Sequence, residues 1–219
     1  MQMQEIIHRI AIGAPGFLMA IVFHEWAHAY VALKFGDQTA KMSGRLTLNP
    51  SAHIDPLGTI VFPLIGAVLG GYVFGWAKPV PVNSRYFKNI RQGLFWVSFA
   101  GPGMNLILGT LCAFVVAFLA TQVSPTFYLH KPFIDIFKQA VFINFILAVF
   151  NLLPLPPLDG SKMLSAVLSY EANQKYEVFS RYSFIVVLFL LFTNILSYLL
   201  LPAIIAGEGL MFFFVKVMA

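Results

Sequence analysis

The sequence predicts an all-α polytopic membrane protein. Three observations carry this. The chain is too apolar for a water-exposed surface, its apolar residues gather in long runs, and basic residues flank those runs. Of 219 residues, 59% are hydrophobic and 11% are charged, with a mean hydropathy of +0.80. A soluble domain of this size carries roughly 25% charged residues. The formal net charge of +5 is no argument for a nucleic-acid partner, because the basic residues sit beside apolar spans, where they fit membrane flanks. The partner these numbers imply is the lipid bilayer.

Five apolar regions follow in order: 10–33, 57–74, 94–120, 133–153 and 184–206. Each of the first, third, fourth and fifth is long enough to cross a bilayer as a helix. A sixth stretch, 210–217, is too short to span alone, and is expected to be an interfacial tail or the end of a broken span. No cleavable signal peptide is apparent, and no long linker or repeat divides the chain. Residues 1–219 therefore read as a single membrane-embedded domain. The lone cysteine, Cys112, lies in the third run and is expected to be an apolar packing residue.

The second region is unusual. Pro63, Gly58, Gly66, Gly70 and Gly71 lie within or near it. A tightly packed crossing helix and a re-entrant segment that returns to its starting side both fit. Charge favours re-entry. If the region does not cross, Lys34, Lys41, Arg45, Lys78, Arg85, Lys88, Arg91, Lys162, Lys175 and Arg181 share one side, and little beyond Arg9 and Lys131 faces the other. By the positive-inside rule the basic side is then cytoplasmic.

The first region contains His24-Glu25-Trp26-Ala27-His28. Residues four apart share a helix face, so both imidazoles can reach one metal ion. Glu25 is turned away by about 100°, beside the metal rather than on it, where a general base belongs. If Lys34 marks the membrane boundary and Gly36 stops the helix, His28 and His24 lie roughly 9 and 15 Å below that boundary. Ionisable groups at such depth need a reason, and a metal supplies one.

Catalytic zinc takes three protein ligands and a water. The third candidate is Asp159, in Asn151-Leu152-Leu153-Pro154-Leu155-Pro156-Pro157-Leu158-Asp159-Gly160. Prolines end the fourth span there, and the chain presents a carboxylate just before a glycine. A helix N-cap is the competing role for Asp159. One Zn²⁺ with ionised Asp159 and Glu25 sums to zero charge, which a low-dielectric site favours.

At these residues the chain resembles the site-2 protease family of intramembrane zinc metallopeptidases. The likeness covers His24-Glu25-xx-His28, Ala100-Gly101-Pro102-Gly103-Met104-Asn105, and Asn151 through Gly160. It is closest to the compact prokaryotic branch without PDZ or CBS domains. Gly44 to Pro50, His53-Ile54-Asp55-Pro56 and Gly75 to Asn83 look like signatures of that branch. The resemblance implies His24, His28 and Asp159 as zinc ligands and Glu25 as the base. It puts Asn151 near the reaction centre, where an oxyanion contact competes with capping the broken end of span four. It also implies transmembrane or membrane-anchored protein substrates, a prokaryotic cytoplasmic membrane, and a site opening towards the cytoplasm.

Lys78, Pro79, Val80, Pro81, Val82 and Asn83 alternate around two prolines like an edge strand. They are expected to bind an unwound substrate by strand addition. Such small interfacial strands would be the only departure from an all-helical fold. His53 and Asp55 form a second metal site or gate, or else fix an interfacial turn, and the adjoining Asn49-Pro50 and Asp55-Pro56 are turn signals. Gly101, Gly103 and Asn105 are expected to let the third span pack closely on the first. Two other classes remain: a metal-ion transporter, which would need more polar residues along its spans than Asn105, Asn144 and Asn194, and a catalytically silent scaffold, which would lack a ligand or the base.

Overall fold

The computed structural model describes residues 3–69, 75–193 and 195–219. Gly70, Gly71 and Phe74 of the second apolar region, and Asn194, lie outside them. Among the described residues, four helices are long and apolar enough to span a bilayer: α1 (Met3–Lys34), α4 (Ile90–Gln122), α5 (His130–Asn151) and α9 (Ile195–Met218). Shorter helices connect them: α2 (Thr39–Met42), α3 (Phe62–Leu69), α6 (Asp159–Val167), α7 (Tyr170–Ser180) and α8 (Ser183–Phe192). The all-α polytopic expectation holds.

Local chemistry sets the ends of these helices. α1 stops at Gly36, whose φ of +106° is costly for any residue with a Cβ. The Asp37 amide folds back to the Ala32 carbonyl at 3.0 Å. α4 starts where the Asn89 side chain accepts the Gln92 amide at 3.1 Å, and α7 where Ser169 accepts that of Ala172 at 3.3 Å. Such caps satisfy amides that have no partner within the helix.

Side-chain pairings give the helix directions. His28 meets Val97 and His24 meets Asn105, so α4 runs antiparallel to α1. Gly16 lies against Ala140, and Asn105 bridges Ala20 to Asn144, so α5 runs parallel to α1. One register then carries the end of α5 to the level of His28. The core joins Cys112, Ala113 and Val116 of α4 to Ala140, Val141 and Phe145 of α5 and Ala203 and Met211 of α9. Small residues dominate these contacts, because helices in lipid associate by close packing rather than by hydrophobic exclusion. Large side chains such as Ile107, Leu111, Phe114 and Phe118 point outwards, as lipid contact requires. Cys112 is buried in this core.

The second apolar region comes back to where it began. The Trp76 amide donates to the Gly58 carbonyl at 3.1 Å, and the Lys78 amide to that of His53 at 2.9 Å. A π-type turn (Pro56–Val61) followed by α3 forms its outward limb. The indole of Trp76 lies on Gly58, where a Cβ would overlap it. The two flanks of this region are therefore held together, and among the described residues α4 alone is long and apolar enough to cross between α1 and α5.

One expectation is narrowed and another corrected. Of the two alternatives for residues 210–217, the end of a broken span holds and the interfacial tail does not. They complete α9, with Met211 buried in the core and Phe214 packed on it. The apolar run 184–206 is instead divided between α8 and α9. In addition, no strand occurs among the described residues. Residues 75–83 are extended but face no ladder partner, and a strand is defined by its partner.

Candidate metal centre

The two histidines of α1 point at α4, and their ring positions are fixed from behind. His28 Nδ1 lies 2.6 Å from the Val97 carbonyl, and His24 Nδ1 lies 2.6 Å from Asn105 Oδ1. Both partners only accept, so each Nδ1 carries the proton and each Nε2 presents a lone pair. The Nε2 atoms are 3.0 Å apart. Asp159 Oδ2 is 3.2 Å from that of His24 and 3.1 Å from that of His28. All three side chains are buried.

Asp159 opens α6, yet its side chain caps nothing; the N-cap role is overturned. The proline loop turns it onto the imidazoles. Gly160 lets α6 press on the end of α5, where a Cβ would overlap the Leu152 carbonyl. A metal takes the ionised form of this carboxyl. Lys162 Nζ, 3.8 Å from Oδ1, balances its other oxygen.

Two lone pairs and a carboxylate oxygen converge with no donor between them, which leaves a cation as their natural partner. Their separations are close to the ~3.3 Å expected between tetrahedral ligands about 2.0–2.1 Å from zinc. Gly101 of α4 faces the same point. A Cβ there would lie 2.6 Å from His24 Nε2 and overlap His28 Nε2. Among the described residues, His24, His28 and Asp159 are the group that could hold a metal.

The centre opens on a cleft of about 330 Å³ lined also by Glu25, Pro79, Val80, Val82, Asn151 and Lys162. Glu25 stands beside the ligand group, and its Oε2 accepts the Val80 amide at 2.7 Å. Asn151 borders the cleft and donates to the Leu147 carbonyl one turn back in its own helix at 3.0 Å, while the C-cap of α5 is Leu152. The segment from Lys78 to Asn83 is strapped along the rim. Arg45 donates to the Lys78 carbonyl at 2.6 Å and to that of Pro79 at 3.3 Å, and Asp37 accepts the Asn83 amide at 2.7 Å. His53 and Asp55 do not converge. His53 Nε2 lies 2.8 Å from the Thr47 carbonyl, and Asp55 accepts the Gly58 amide at 2.7 Å, so the turn-fixing role holds.

The supporting residues went unassigned in the sequence. Asn105 stood there as a packing residue in a family-like segment, Asn144 only as a polar residue of the spans and Arg45 only as a basic flank and part of a signature, while Asp37 had no role. A buried polar residue in an apolar span was the available signal for both asparagines.

Four spanning helices around a buried His–His–Asp centre, with a glutamate one residue along from the first histidine, define a multi-pass membrane zinc metalloprotease. The chain belongs to peptidase family M50, the site-2 protease family, whose model matches residues 12–131 and 122–193. It is 42% identical over 192 residues to YwhC of Bacillus subtilis, covering 87% of this chain and 84% of that protein. It is 30% identical over 182 residues to Rip2 of Mycolicibacterium smegmatis, covering 83% and 67%. It is 33% identical over 162 residues to MJ0611 of Methanocaldococcus jannaschii, covering 73% and 69%. All three carry provisional names as zinc metalloproteases. No solved structure matches the chain. The cofactor is Zn²⁺.

Proposed function

We propose that this protein hydrolyses peptide bonds of transmembrane or membrane-anchored proteins inside the bilayer, in regulated intramembrane proteolysis or the clearance of signal-peptide remnants. The observation that carries this is depth: the imidazole pair lies within a spanning helix, beside a partly polar cleft. His24, His28 and Asp159 hold the zinc. Bound there, zinc supplies a Lewis acid that acidifies its water and polarises the scissile carbonyl. Glu25 takes the proton of the attacking water and returns it to the leaving nitrogen. The Val80 amide keeps the Glu25 carboxylate turned into the cleft. Asn151 holds the developing oxyanion or the substrate backbone through the amide hydrogen not engaged by Leu147. The basic rim faces the cytoplasm of a prokaryotic cell, and water enters from that side.

Lys78 to Asn83 receive the unwound substrate. In an extended run, alternate residues face opposite edges. Pro79, Pro81 and Asn83 share one edge, where the prolines offer no amide and Asp37 occupies that of Asn83. Val80 and Val82 share the other. Since Glu25 occupies the Val80 amide, the groups left for a substrate are the Val80 carbonyl and the Val82 amide and carbonyl. A Val82→Pro variant is expected to cut about tenfold or more slowly and to keep its zinc. Normal turnover by this variant would rule strand pairing out.

The activity is tested in proteoliposomes with single-span substrates, the cut sites being mapped by mass spectrometry. Cuts inside the apolar span, abolished by chelation, are expected. Cuts confined to soluble flanks would overturn the proposal. Trapping with Glu25→Gln in cells would then identify natural substrates.

A further inference from the structure

The two histidines of α1 are held by different means. His28 leans on a backbone carbonyl. His24 leans on a side-chain relay that begins on another spanning helix. We propose that Asn144 of α5 is a positioning residue for His24, acting through Asn105; this rests on His24 being a zinc ligand.

The relay has one direction. Asn144 Nδ2 donates to the Ala140 carbonyl at 2.9 Å. That oxygen only accepts, so the amide is oriented and Asn144 Oδ1 faces α4. There it accepts from Asn105 Nδ2 at 2.9 Å, and the same nitrogen donates to the Ala20 carbonyl at 3.1 Å. With both hydrogens engaged, Asn105 turns its oxygen to His24 Nδ1 at 2.6 Å. The Nδ1 proton is thereby fixed, and the Nε2 lone pair points at the metal position. Reversing either amide would set oxygen against oxygen or N–H against N–H. Both asparagines are fully buried, and neither lines the cleft, so substrate contact does not account for them.

The relay has a further consequence. α5 ends in the loop that delivers Asp159, so one helix governs two of the three ligands, Asp159 through the chain and His24 through Asn144. If α5 slides against α4, the link to His24 breaks. Simple polar glue between α4 and α5 would also explain an Asn–Asn pair, but glue requires no fixed amide direction and predicts no effect on the metal.

The test uses the whole protein in detergent, with zinc affinity measured by chelator competition and ligand geometry read from the visible spectrum of the cobalt-substituted form. Asn105→Leu is expected to weaken zinc binding by about 10–100-fold, as loss of an outer hydrogen-bond partner does. Asn144→Leu is expected to weaken it in the same direction and by no more. Once Asn105 is leucine, Asn144→Leu should add nothing, because the links act in series. Asn144→Asp should restore binding, since a carboxyl kept neutral by burial donates its O–H to the Ala140 carbonyl and keeps its other oxygen facing Asn105. Wild-type zinc affinity and cobalt bands in Asn144→Leu would overturn the proposal, as would multiplying losses in the double variant. If the leucine variant does not fold, Asn144→Ala is judged by the same criteria. Wild-type protein that binds no zinc would instead overturn the ligand assignment itself, and this proposal with it.

Discussion

A Glu25→Gln protein is expected to hold zinc as the wild type does and to cleave at least a hundredfold more slowly. The rate follows from chemistry. Positioned acid–base catalysis is worth about 10²–10⁴-fold, and an amide does not take a proton from water at neutral pH. The retained metal follows from geometry. The carboxylate stands outside the group formed by His24, His28 and Asp159, and its recorded partner is the Val80 amide at 2.7 Å. The glutamine oxygen can accept that same hydrogen bond, so the cleft keeps its shape. Zinc content by mass spectrometry and initial rates on a single-span substrate measure the two halves separately. Lost zinc would make Glu25 a ligand. Unchanged cleavage would remove it from the chemistry, and a scaffold would keep its function whatever stood at this position.

Gly101→Ala should be nearly as damaging by a different route. One methyl group is added, on the α4 face that touches both imidazoles. It would sit 2.6 Å from His24 Nε2 and overlap His28 Nε2. Either α4 moves away or the rings rotate, and rotation breaks the hydrogen bonds from Nδ1 to Asn105 and Val97. Loss of one such partner costs about 10–100-fold in metal affinity; disturbing both should exceed that. Gly103→Ala is the control. Its nearest neighbour is the Phe99 ring at 3.2 Å, and this half-buried ring can shift a few tenths of an ångström. Near-normal zinc in Gly103→Ala with strong loss in Gly101→Ala is the expected pattern. Tight zinc binding in both would mean that the metal does not sit against Gly101.

What was legible along the chain was what local rules determine. The spacing of His24 and His28 follows from the helical repeat alone, and Gly36 ends α1 because of its own backbone freedom. The prolines after Asn151 announce a break wherever they fall. Re-entry of the second region emerged from the placement of lysines and arginines. The rest needed three dimensions. Nothing local indicates that Val97 and Asn105 would lie behind the imidazoles, since those partners arrive 69 and 81 residues later. The boundary between α8 and α9 was hidden because the residues on both sides are mostly apolar and carry no amphipathic period. The segment from Lys78 to Asn83 has the composition of a strand, but its ladder partner is absent among the described residues.

The His–His–Asp centre, when it holds zinc, also ties α1 directly to the chain that follows α5, beyond the packing of α1 on α5 and α4. An ion gripped from both flanks is a cross-brace, present only in the folded state. Resistance to heat should therefore track the free zinc concentration, rising by about 1.4 kcal/mol for each tenfold increase above the dissociation constant.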